Sequence, residues 1–217
     1  MSFRKIVFPK DLVILIILST ILNIGRVSFF GKFNFLFLFW NMFLAFIPYL
    51  ISSWMLWYSD NKKPYKLFMI IGFVAWIIFL PNAPYLVTDL IHTGRIMVVP
   101  VFYDLTVLFS SALVGLLFAF YSLSHIERIF LKKFGNKATT LCMIVVIFIS
   151  SFGIYLGRFI RFNSWHILTD VSSVFLKVWA IISKPYTHQD VYLFSTFFFF
   201  FIFMLYQAWK YSRIKID

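Results

Sequence analysis

LFMIIGFVAWIIFLPNAPYLVTDLIH, residues 67–92, is the stretch whose reading decides the fold. From Leu67 to Pro81 the chain carries no charge, about 21 Å of helix at 1.5 Å per residue. That is short of the ~30 Å hydrocarbon core of a bilayer. Pro81 and Pro84 lack amide donors and clash with the carbonyls of Ile77 and Leu80, so the helix breaks there. Asn82 is placed to cap a new helical piece. In that piece Tyr85, Thr88, Asp89 and His92 share one face, and Leu86, Val87, Leu90 and Ile91 cover the other. If helix resumes, Asp89 stands roughly 34 Å beyond Lys66, at the far edge of the bilayer. A broken helix there exposes backbone N–H groups and a positive dipole end, suited to an anion or substrate. The plainer reading is that the prolines end the span and Asn82 caps a short boundary helix.

Composition carries this reading to the rest of the chain. The 217 residues are 62% hydrophobic and 13% charged, with a mean hydropathy of +0.90; a soluble domain carries roughly 25% charge. Apolar runs of near 20 residues recur at Leu12–Phe30, Phe33–Trp57, Val101–Leu123, Ala138–Gly157 and Tyr192–Tyr211, each long enough to cross a membrane. With residues 67–81 they predict an all-α, polytopic transmembrane bundle of about six spans in one domain, 1–217. Pro48, inside the second run, is tolerable where neighbours satisfy the freed carbonyl. The amino-terminal start, basic and then apolar with no small-residue cleavage site, predicts an uncleaved signal anchor. The single cysteine, Cys142, excludes an intrachain disulfide. Residues 164–182 differ: Leu168, Val171, Val174, Phe175, Val178 and Ile181 recur at helical spacing against a polar face. This predicts an amphipathic helix in the membrane interface, with a re-entrant or seventh span as the alternative.

Six spans place both termini and the basic links 60–66 and 127–137 on one side. That side holds 13 of the 20 Lys and Arg residues, so both termini are expected in the cytoplasm of a bacterial plasma membrane. The net charge of +12 thus reports orientation, and the expected partner is the lipid bilayer, not nucleic acid. Counted along the spans, Asp89, His92, Asp104, Arg158 and Arg161 reach the same outer boundary. Ionisable groups at that depth face the bundle and pair. Asp104, Ser111, Gly115 and Ala119 share one helix face, and the Gly153–Gly157 pair leads on to Arg161. Close approach of these two spans would set Asp104 beside an arginine.

Three readings of the cluster follow. Asp89 and His92 with Asp104 or His166 could hold a hydrolytic metal, although no His-x-x-x-His or acid-rich motif supports one and none is expected. Asp89, His92 and Asp104 could be catalytic acids and bases on a lipid-linked substrate. Asn82, Tyr85, Arg158, Arg161, Asn163 and Trp165 would then bind it, with the arginines on phosphate. The third reading, which the sequence favours, has Asp–Arg pairs locking the span ends. A transporter component is a further alternative, and no cofactor is indicated. His125, Glu127, Arg128, His188 and Asp190 read as ordinary interfacial residues, and the tryptophans as aromatic belts.

The blocks Phe79-Leu80-Pro81-Asn82-Ala83-Pro84-Tyr85, Tyr103-Asp104-Leu105, Gly153-Ile154-Tyr155-Leu156-Gly157-Arg158-Phe159 and Asn163-Ser164-Trp165 resemble the bacterial membrane-protein family DUF1361. The resemblance runs from about the second span to the last. It implies a multi-pass protein of the plasma membrane and implies no reaction. The family pattern expects an acid after Asn-Ser-Trp; this chain has His166.

Overall fold

The computed structural model describes residues 9–31, 33, 35–61, 65–92, 100–162 and 169–214, leaving aside the side chains of His92 and Ile214. Among them the chain is helical, with no strand. In order come α1 (Lys10–Phe30), α2 (Phe37–Asn61), α3 (Lys66–Phe79), α4 (Asn82–Tyr85), a 3-10 helix (Leu86–His92), α5 (Val101–Arg158), α6 (Val171–Ser183), a 3-10 turn (Pro185–Thr187) and α7 (Gln189–Ile214). Among the described residues, five helical stretches are long and apolar enough to cross a membrane: Lys10–Phe30, Phe37–Asn61, Lys66–Ile91, Val101–Arg158 and Gln189–Arg213. This is a multi-pass membrane protein built as an all-α bundle.

At the prolines the first of the two sequence readings holds: the helix is broken, helical turns resume, and Lys66–Ile91 reaches 26 residues. One difference from the sequence reading stands out. The basic stretch 127–137 is not an open link. It is helical within the 58 residues of α5, with a break at Gly135 (φ 71°, ψ 178°). Glu, Arg, Leu and Lys are good helix formers, so the helix continues through the charges until Gly135, whose conformation is essentially restricted to glycine. α5 holds both of the apolar runs that the sequence assigns to its fourth and fifth spans.

The chain divides into two compact units after Ile129. In the first, α1 turns its polar residues inward. Ser19, Asn23 and Arg26, spaced four and three apart, are buried, while Ile14, Ile17, Leu18, Ile21 and Ile24 are about half exposed. A helix that hides its polar stripe and exposes isoleucine is built for lipid. It ends at Gly31, in the left-handed conformation (φ 60°), whose N–H donates to the Val27 carbonyl. Pro48 sits in the interior of α2, and its carbonyl is one end of a hydrogen-bond relay between helices. The Trp76 indole donates to Ser122 Oγ (2.5 Å), which donates to the Pro48 carbonyl (3.1 Å). This relay ties α3, α5 and α2.

The proline break packs on α5 through a glycine. A Cβ added at Gly115 would lie 2.3 Å from the Ala83 carbonyl oxygen and 3.1 Å from Leu86 Cβ. Only a residue without a side chain lets the backbone of α4 come this close. The inward face of α5 predicted from Asp104, Ser111, Gly115 and Ala119 is therefore present, and these residues are buried. In the second unit, Tyr155, Ile181 and Val191 form a core joined by Phe152, Leu156, Ile160, Tyr192 and Phe194. The Tyr155 hydroxyl donates to Asp190 there, so Asp190 has a specific partner and is not a generic interfacial residue.

Candidate functional site

One set of the first unit's polar side chains gathers where α1 and the 3-10 helix finish and α2 and α5 begin. Asp104 lies in the first turn of α5, where the helix dipole favours an anion. Its carboxylate accepts twice from Arg26 of α1, from Nε at 2.7 Å and from Nη2 at 3.3 Å. Both side chains are almost sealed, at 0% and 3% exposure. The guanidinium carbon stands 3.9 Å from the centre of the Phe35 ring, a cation–π contact that covers one face of the guanidinium. Two-point contact in such surroundings fixes orientation as well as charge.

Asp89 is equally hidden, at 1% exposure, and accepts from the Asn41 amide of α2 at 2.9 Å. It is brought there by the 3-10 helix, which has three residues per turn. Leu86 and Asp89 therefore line up, and Leu86 is fully buried with it. This corrects the expected α-helical partition, which set Leu86 on the opposite face. Ile91 does face out. Thr88 donates to the Tyr85 carbonyl at 2.6 Å. Asn82 does not cap through its oxygen. Its amide donates to the Phe79 carbonyl at 3.0 Å, because Ala83 N–H has turned to Leu80 and left that carbonyl without its usual i+4 donor.

Between these groups runs a cluster of Phe35, Leu38, Val107 and Leu108, joined by Leu22, Phe37, Leu90 and Tyr103. The Tyr103 hydroxyl donates to the Leu22 carbonyl at 3.0 Å and sits over Gly25, where a Cβ would be 2.7 Å from it. Farther along α1, Asn23 donates to the Ser19 carbonyl (2.9 Å), and Ser19 Oγ meets Ser111 Oγ at 3.0 Å and Ser110 Oγ at 3.2 Å. A hydrogen-bonded seam thus joins α1 to α5 below the ion pair.

The sequence reading expects Asp104 beside an arginine from the end of the next span; the structure supplies Arg26 of α1. Arg158 and Arg161 belong to the second unit. Arg158 is half-buried in the last turn of α5. Arg161 is exposed and left-handed (φ 63°), beside a turn in which Phe162 N–H donates to the Leu156 carbonyl. Tyr85 is half-buried. Asn163, Trp165, His166 and the His92 side chain lie outside the described residues. No three of His, Cys, Asp and Glu come together among the described residues. Arg26 and Asn41 are site residues that sequence reasoning missed, and Arg26 is the one that carried a signal. A charge late in an apolar run needs a buried partner.

The other end of this unit holds a second set. Ser52 Oγ and Ser53 Oγ lie 3.1 and 3.3 Å from His125 Nδ1, and Tyr121 donates to both Asp11 oxygens at 2.8 and 2.9 Å. His125, expected as an ordinary interfacial residue, is thus bonded into the helix packing.

Chemically, the candidate site holds its carboxylates in place. Asp104 has both oxygens committed to a guanidinium, and Asp89 is committed to an amide and closed from solvent. Residues 40–205 match the family described as "Protein of unknown function (DUF1361)", and the match includes Asn41, Asp89, Asp104 and Arg158 while Arg26 precedes it. No curated protein and no solved structure matches the chain. With so much of its length matched, the chain belongs to the DUF1361 family.

Proposed function

We propose that this DUF1361 protein is a six-pass component of the bacterial plasma membrane whose polar cluster is architectural, holding the proline-broken third span against α1, α2 and α5 so that the bundle presents a fixed outer end. The observation that supports this is the sealed, two-point pairing of Arg26 with Asp104. A general base must reach a substrate proton, and a buried carboxylate with both oxygens bonded to a buried guanidinium is better suited to locking helices. The six crossings use α5 twice, before and after Gly135, with both termini in the cytoplasm as the distribution of basic residues suggests.

The test pairs Arg26→Met with Asp104→Leu. Each single variant should lose thermal stability in detergent, and the double variant should recover it. Expressed in a strain lacking the natural gene, the double variant should also restore that strain's envelope composition. A folded double variant that fails to restore it, while the natural chain succeeds, would favour catalysis or transport at this cluster. For topology, a cysteine at Thr93 should react with a membrane-impermeant reagent in intact cells and one at Asn136 should not. The reverse pattern would invert the orientation.

A further inference from the structure

α6 belongs to the second unit, lies outside the candidate spans and leaves one apolar face exposed. Its 13 residues extend about 20 Å, too short to cross a bilayer. Val171, Phe175, Trp179 and Ile182 fall within one third of its circumference at 3.6 residues per turn, and each is more than half exposed. The Phe175 and Trp179 rings stack along this stripe, 6.4 Å apart at 13°. The opposite side carries Ser173, Lys177 and Ala180, with Lys177 exposed. Asp170 caps the start by accepting from Ser173 N–H at 3.3 Å, and exposed Lys184 closes the other end, where a cation suits the dipole.

What covers the stripe is indicated by how α6 is held. Ile181 is buried against Tyr155 and Val191. These residues stand three from the end of α5 and two from the start of α7, both membrane-crossing stretches. The Tyr192 hydroxyl donates to the Ile181 carbonyl at 3.2 Å, and only Lys184, the turn Pro185–Thr187 and His188 separate α6 from α7. α6 is therefore pinned at the level where two spans leave the hydrocarbon, the depth tryptophan prefers. Between Arg158 and Asp190 the chain carries Arg158, Arg161, Lys177 and Lys184 against only Asp170 and Asp190, a basic excess that complements anionic headgroups.

We propose that Val171–Ser183 is a membrane-surface helix that inserts Val171, Phe175, Trp179 and Ile182 into the adjoining leaflet and binds anionic phospholipid through Lys177 and Lys184. The inference holds for either orientation of the chain and does not depend on the role of the Arg26–Asp104 cluster. An amphipathic helix with aromatic and aliphatic groups on one face and lysine on the other binds by buried apolar area plus headgroup attraction.

The test uses the full chain with Cys142→Ser, reconstituted in vesicles of phosphatidylcholine with or without phosphatidylglycerol. A nitroxide is placed at a single cysteine, either Phe175→Cys or Ala180→Cys. At position 175, collisions with oxygen should exceed those with a water-soluble nickel chelate, and at 180 the order should reverse. Phosphatidylglycerol should increase the oxygen preference at 175, and Lys177→Glu with Lys184→Glu should abolish that increase. A nickel-accessible 175 overturns insertion, because the helix then lies in water. Exclusion of both reagents at 175 also overturns it, because a second copy or another protein then covers the stripe. Insertion without a phosphatidylglycerol effect overturns the anionic-lipid part.

Discussion

Replacing Asp104 by Asn tests the buried pair most directly. The substitution preserves shape, so packing around Phe35, Tyr103 and Leu108 changes little. What it removes is the charge that balances a fully buried guanidinium. Arginine cannot shed its proton in a protein, so the variant must bury a cation that has lost this carboxylate or open the end of the bundle. Breaking such a pair from one side costs about 3–5 kcal/mol. For a chain near 200 residues, about 1 kcal/mol moves the melting temperature by roughly 2–4 °C, so a fall on the order of 10 °C is expected. Arg26→Met should cost less, because a carboxylate left in apolar surroundings can neutralise itself by taking up a proton. The double variant Arg26→Met with Asp104→Leu should lie within about 1 kcal/mol of the natural chain, since well-packed apolar replacements of buried pairs are often neutral. The assay is thermal unfolding in one detergent of the natural chain and Asp104→Asn, together with Arg26→Met, Asp104→Leu and their double variant, which with the natural chain are read as a double-mutant cycle. Additive losses, or an Asp104→Asn loss below about 1 kcal/mol, would refute the buried-pair reasoning.

Gly115→Ala should destabilise by about 1–3 kcal/mol, as overpacking does, because its Cβ meets backbone at Ala83; an unchanged melting temperature would mean that α4 does not seat there. Gly135→Ala places a side chain at φ 71°, ψ 178° and should cost about 1–3 kcal/mol, seen by the same measurement, even though nothing crowds the added Cβ. Asn41→Leu removes the amide that Asp89 accepts at 2.9 Å. It should cost about 1–3 kcal/mol, and a stable variant with unaltered unfolding would show that Asp89 is held chiefly by other groups.

Much of the fold was legible because lipid imposes a length on helices. The apolar runs in 12–30, 101–123, 138–157 and 192–211 each correspond to helix, as does 33–57 from Phe37 onward, and Asp89 and Asp104, which the residue count set at one level, lie at one end of the first unit. The inward face of α5 was legible for a similar reason: Asp104, Ser111, Gly115 and Ala119 repeat at helical spacing. Where periodicity was the only guide, the winding itself could mislead. After Pro84 the chain winds as a 3-10 helix, so Leu86 joins Asp89 instead of opposing it. Charge was an equally poor guide to helix boundaries, since the basic residues of 127–137 sit on continuous turns up to Gly135.

The sequence by itself determined the class of molecule and its apolar helices, because hydrophobic length is a one-dimensional quantity. Only the tertiary structure decided who meets whom. Arg26 and Asp104 are 78 residues apart and Asn41 and Asp89 are 48 apart. A depth count treats every arginine near the boundary as an equivalent candidate. The choice of Arg26 depends on which helices lie side by side, and that is set by close packing at Gly25, Gly115 and the serine seam. Such packing acts between elements in space, and no stretch of sequence carries it alone.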